Sequence, residues 1–258
     1  MKLGSGLKRC PGGETGRRKG LKILFSARRV WVRFPPRAPV NDGLFPMRTF
    51  EQFVADSAEH GSINLIFESG MHLLVNDLEE IVTALRDAGV HFEVVGGVAV
   101  NAHIFSLHRS RSFVTRDIDV LIHRSDLERA AKAAEPLGYR AKKMMGGYTL
   151  IRPEQDLAEA VHLLFVGEKS KSTQPFPHPE LHPEQKHLFD INIPVAPLKD
   201  LLHMKLNSLR PKDIIHLETL DDVGLITPAL ERGLPPALQD RLKEARKQIA
   251  ENKPDVEG

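Results

Sequence analysis

The chain has 258 residues, of which 41% are hydrophobic and 27% charged, a balance that excludes collagen-like, disulfide-scaffold and wholly disordered classes. No run approaches the roughly 18 uninterrupted apolar residues of a membrane helix, and the single Cys10 excludes a disulfide framework and a cysteine zinc site, so a reducing, cytoplasmic setting is expected. The formal net charge of +2 hides an asymmetry: residues 1–46 carry 11 Lys/Arg against Glu14 and Asp42, a local +9, which leaves −7 for the remainder.

In chain order, residues 1–46 show no amphipathic period. The stretch GGETGRRKGLKILFSARRVWVRFPPRAP resembles the conceptual translation of a transfer-RNA gene, so 1–46 is expected to be a misannotated, disordered extension. A protein then opens plausibly at Met47, with a short helix at 49–58 and an ambiguous apolar stretch at 63–67. Leu78, Ile81, Val82 and Leu85 lie at helical spacing, predicting a helix capped by Asn76 or Asp77 and ended by Gly89. Strands are predicted at 92–95, 118–122, 148–152 and 160–166, and helices at 98–105 and, capped by Ser125, over 125–138. The Pro-, Lys- and His-rich segment after Lys171 reads as a linker. His178, His182 and His187 within it lack a rigid element to fix metal geometry. Helices are predicted at 198–209, 212–223 and 236–252. The expectation is an α/β (α+β) domain at 47–170, a linker at 171–196 and a helical C-terminal region at 197–258.

Chemistry concentrates in VVGGVAVNAHIFSLHRSRSFVTRDIDVLIHRSDLERA, residues 94–130. Glycines at a strand-to-helix junction permit close backbone approach, and the free amides of a helix start bind phosphate oxygens. Asp117 and Asp119, two apart on a strand, project to the same side. Two such carboxylates can hold Mg²⁺, whose shell substrate phosphates often complete. His108, Arg109, Arg111 and Arg116 form a basic patch beside them. It reads either as a triphosphate or nucleic-acid contact or as a solvated loop, with Arg116 the strongest candidate. Lys205 sits at the edge of the apolar face of a helix, and Arg210-Pro211-Lys212-Asp213 reads either as a helix break with a charge pair or as cleft lining. A net of −7 outside the first 46 residues argues against broad nucleic-acid affinity.

GGVAVNAH followed by RSFVTRDIDVLI resembles the minimal nucleotidyltransferases of the DNA polymerase β superfamily, including the abortive-infection toxin type, and VAPLKDLLHMKLNSLRPKDIIHLETL is similar to that group's helical region. The resemblance spans 94–220. It implies a mixed sheet flanked by helices, Mg²⁺, an NTP as nucleotide donor, an acceptor that is an RNA end, a protein or a small molecule, and an antitoxin-like protein partner. By it Gly96, Gly97 and Lys205 hold the triphosphate, while Asp117 and Asp119 hold metal; Arg116 is added to the triphosphate contacts for its place beside the aspartates. The sequence departs from the family in AVHLLFVGEK, where His162 stands in place of a third carboxylate. Imidazole suits Mn²⁺ better than Mg²⁺ and can serve as a general base near neutrality. Glu159, Asp190 and Asp213 are the carboxylates that a fold might bring in as substitutes. Two outcomes follow: a working nucleotidyltransferase, or a catalytically lapsed module that binds nucleotide or a protein partner.

Overall fold

A computed structural model describes residues 62–252, apart from 106, 108–112, 114, 145, 154 and 156. The readings made for residues 1–46, for a helix at 49–58 and for His108, Arg109 and Arg111 fall outside them. Described elements run α1 (Ser62–Asp87), β1 (Phe92–Val95), α2 (Gly96–Phe105), β2 (Ile118–Ile122), α3 (Leu127–Ala134), β3 (Arg140–Met144), β4 (Gly147–Ile151), β5 (Val161–Phe165), β6 (Glu184–Leu188), β7 (Ile191–Val195), α4 (Leu198–Ser208), α5 (Pro211–Asp222), α6 (Pro228–Arg232) and α7 (Pro236–Asn252).

The seven strands form one mixed sheet in the order β3-β4-β5-β2-β1-β7-β6, flanked by helices. Its centre is buried and apolar but for Glu93: β1 (FEVV) is covered on both faces, and β2 exposes in part only Asp119. β1 runs antiparallel to β2 and parallel to β7, while β2 runs parallel to β5. Leu78, Ile81, Val82 and Leu85 of α1 join Phe92 and Val94 in the main core. Val95, Leu121, Ala196 and Met204 form a smaller cluster. No described helix is long and apolar enough to cross a membrane.

Several sequence expectations are corrected. The helix expected from Asn76 or Asp77 starts at Ser62 and takes in the ambiguous stretch. Asp77 does not cap it; its carboxylate accepts from Arg152 at 2.6 Å, and Arg152 also reaches Glu80. The C-terminus is as expected: Gly89 at φ +66° lets the Val90 amide bond back to Leu85. Ser125 lies inside a single 3₁₀ turn (Arg124–Asp126) before α3 and makes no capping bond there. Residues 184–195, expected as linker, form the β6–β7 hairpin that completes the sheet. Exposed β3 and short α6 are additional elements.

Candidate active site

β1 passes into α2 with no intervening residue, and two glycines make that junction. Gly96 has φ +70°, and a Cβ there would lie 2.0 Å from Asp119 Oδ2, inside any tolerable contact. A Cβ on Gly97 would lie 2.7 Å from Thr115 Oγ1. The start of α2, with its unpaired amides and positive dipole end, is thus pressed against the segment that carries the aspartates.

Thr115 Oγ1 donates to Asp117 Oδ1 at 2.8 Å, and Lys212 Nζ donates to Asp117 Oδ2 at 2.8 Å. Burial by itself would raise Asp117, but the bond and charge of Lys212, with help from Thr115, outweigh it and hold the carboxyl down at about 2. Asp119 moves the other way. Burial and the neighbouring charge of Asp117 push it up, against the opposing pull of His162, Lys205 and Lys212. His162 is the direct neighbour of Asp119 across β2 and β5, and Thr149 is the direct neighbour of His162 across β5 and β4, with Thr149 Oγ1 3.5 Å from His162 Nδ1.

A tight corner between α4 and α5 supplies the cations. Leu209 takes φ +44° to end α4, and Pro211 opens α5. Asp213, fully buried, accepts from Lys205 Nζ (3.2 Å), Ser208 Oγ (2.7 Å), the Arg210 amide (3.0 Å) and the Arg210 guanidinium (2.9 and 3.2 Å). Burial would raise Asp213; Arg210, Lys205 and Ser208 reverse that and hold it well below the ordinary carboxylate range. Burial lowers Lys205, with Asp213 and Asp119 opposing.

These groups border a cavity of about 490 Å³, within the range of small-molecule sites. Gly96, Asp117, Asp119, His162 and Lys205 all line it, as do Ser208, Arg210 and Lys212. Residues 168–178 form another wall. Their ends are tied by the Gly167 amide to His178 carbonyl bond and the His178 amide to Glu168 carbonyl bond. Their middle is clamped by Asn207 of α4, which accepts from the Phe176 amide (3.0 Å) and donates to the Phe176 carbonyl (2.7 Å).

Gly97 backs Thr115 and does not line the cavity. Arg116 lies away from it, exposed, with its guanidinium 2.6 Å from Glu159. Of the carboxylates considered as substitutes, Glu159 is engaged there, Asp190 lies in the β6–β7 turn, and Asp213 is filled by its own donors; none borders the cavity. The Arg-Pro-Lys-Asp segment both caps a helix and lines the cleft. Thr149 and Ser208 are brought in only by strand register and the helix corner, and Thr115 by its side-chain bond to Asp117; none of the three is singled out by the sequence.

No protein of curated function matches the sequence. The solution structure of the antibiotic-resistance factor ANT(2'')-Ia is 13% identical, with a TM-score of 0.40 over 70% of this chain and 86% of that one. An antigenic nucleotidyltransferase-like protein from Paracoccidioides brasiliensis is 15% identical, with a TM-score of 0.38 over 68% and 87%. These likenesses are too distant to transfer a substrate. Residues 64–210, more than half of the chain, match the family described as uncharacterised nucleotidyltransferase, and to that family the chain belongs.

Proposed function

We propose that the chain is a Mg²⁺-dependent nucleotidyltransferase that moves a nucleoside monophosphate from an NTP to an acceptor hydroxyl. The observation that carries this reading is the packing of Gly96 against Asp119, which sets a helix N-terminus beside two carboxylates that line a cavity with Lys171, Lys205 and Lys212. The donor set fits a divalent ion. Asp117 already holds an ammonium, and burial together with the charge of Asp117 pushes Asp119 up, so a cation between the two carboxylates would relieve their repulsion. Asp117 and Asp119 would hold Mg²⁺, which keeps several waters and takes substrate phosphates as ligands. When bound, it neutralises triphosphate charge and steadies the leaving pyrophosphate. Mn²⁺ is the alternative that His162 favours.

Gly96 seats phosphate oxygens at the start of α2, and Gly97, expected from sequence to share that role, backs Thr115 behind it. Lys205, held in place by Asp213, faces the triphosphate, and Lys212 turns from Asp117 to the phosphates. Arg116 joins the triphosphate only by leaving Glu159. The acceptor oxygen bonds to the α-phosphorus, the bond from that phosphorus to the bridging oxygen breaks, and pyrophosphate leaves with the electron pair. His162, beside Asp119, takes the hydroxyl proton. The resemblance to the abortive-infection type and the single cysteine extend the reading to a cytoplasmic toxin with an antitoxin-like partner.

The test is transfer from each α-labelled NTP in cell extract, with Mg²⁺ and Mn²⁺ tried separately, comparing the native chain with Asp117→Ala/Asp119→Ala. Label that falls by more than ~100-fold in the variant is the expected result. A folded native chain that binds NTP and labels nothing indicates the catalytically lapsed module, which His162 in the place of a carboxylate favours.

A further inference from the structure

Resting on the transferase reading, we propose that the acceptor is a phosphate-bearing molecule, received along a line of side chains that runs from Asp119 to the β3 edge of the sheet. Asp119 pairs with His162, His162 with Thr149, and Thr149 with Lys142, one residue on each of four neighbouring strands. Directly paired residues share a sheet face, and three strand spacings put Lys142 about 14 Å from Asp119. Arg140 and Met144 lie two residues to either side of Lys142 on the same face, and Met144 borders the cavity.

The segment 168–178 meets this edge. A Cβ on Gly146, in the β3–β4 turn, would fall 2.4 Å from the Ser170 carbonyl oxygen, so turn and segment are in direct apposition. The segment brings Lys169 and Lys171, and Lys171 borders the cavity. Among the described residues, Arg140, Lys142, Lys143, Lys169 and Lys171 form no ion pair. The cations beside the metal pair differ: Lys205 and Arg210 hold Asp213, and Lys212 holds Asp117. The described carboxylates bordering the cavity are Asp117 and Asp119 alone.

Lysines on an edge strand also discourage strand-to-strand association, which accounts for β3 by itself. It does not account for Lys171, on a separate segment that borders the cavity, nor for a line that ends on Asp119. A polycationic acceptor would find no described carboxylate here beyond the pair that would hold a metal. Phosphates flanking an acceptor hydroxyl would be neutralised by Lys142 and Lys171 while the hydroxyl reaches His162. A nucleic-acid 3′ end and a small phosphorylated compound share this chemistry.

The test measures binding and transfer on the full chain. A fluorescent single-stranded oligoribonucleotide is titrated by anisotropy, a sugar phosphate and an aminoglycoside compete, and the same three serve as acceptors with α-labelled NTP. Lys142→Glu/Lys171→Glu, at two exposed positions, is compared with the native chain and with a Lys243→Glu control on α7. The expected result is about tenfold weaker binding of the phosphate-bearing probe in the double variant, with a shallower salt dependence and no change in the control. Competition by sugar phosphate at matched phosphate concentration identifies the small source; preference for the oligomer identifies the polymer. Equal binding by native and double-variant chains overturns the proposal, and so does transfer to the aminoglycoside alone, which leaves the transferase reading standing. Charge-dependent binding with no transfer to any acceptor upholds the surface and removes the transferase reading.

Discussion

Two lysine–aspartate pairs meet near the cavity, and they are built to opposite ends. Lys212 and Asp117 lie 2.8 Å apart with side chains 44% and 22% exposed; Lys205 and Asp213 lie 3.2 Å apart at 4% and 0%. The open pair has water on one side, so another cation can take the place of Lys212 at little cost. The sealed pair has no such exchange, because breaking it leaves a charge stranded in a low-dielectric interior. One is a replaceable contact and the other a scaffold that fixes Arg210 and Lys205. Similar chemistry thus makes an exposed contact in one place and a buried scaffold in the other.

Asp213→Ala strikes the scaffold and should cost about 3–5 kcal/mol in urea melts by leaving Lys205 uncompensated, whereas Lys205→Met/Asp213→Leu recovers most of the loss. Glu93 sharpens the contrast, being a buried carboxylate with no lysine. It accepts one bond from the His182 amide, and its Oε1 has no hydrogen-bond partner among the described residues. Burial pushes it up to about 7, the amide of His182 opposes, and the charge of Asp200 adds to the rise. A raised carboxyl means that the fold holds a proton that the unfolded chain has released. Stability therefore falls as pH rises from about 4.5 to about 7, then levels. Glu93→Gln should remove that fall and gain on the order of 3 kcal/mol at pH 8 relative to pH 4, read from thermal melts at both. Gly96→Ala forces φ +70° on alanine and displaces the Asp119 carboxylate, for a loss of about 1–3 kcal/mol in denaturant melts. Lys212→Ala should change stability by less than ~1 kcal/mol. It also lets Asp117 rise from about 2, visible in a carboxylate NMR titration.

What could be read in advance followed local signals. β1 and β2 are short, mainly apolar runs, each broken by a single carboxylate, and α7 begins at a proline and holds its helical pattern to Asn252, so their bounds match expectation. β3 (RAKKM) is exposed throughout, so it has no buried face to mark. β7 contains Pro194, which argues against a strand in sequence and is accommodated between β1 and β6. At the site, Gly96, Asp117, Asp119, His162 and Lys205 were legible as a motif. Thr115 was not, although it lies two residues from Asp117 and on its side. Arg116, between them, points elsewhere and meets Glu159. Adjacency in sequence favoured the residue that alternation turns away.

The clamp that Asn207 places on Phe176 has a mechanical consequence. By bonding both polar groups of one backbone unit, Asn207 stands in for a neighbouring strand and fastens the segment 168–178 to α4. Arg241 of α7 donates to the carbonyls of Leu206 and Asn207, bracing the same helix end from behind. Segment, α4 and α7 are thereby joined through hydrogen bonds into one wall, and the β3–β4 turn rests against that wall at Ser170.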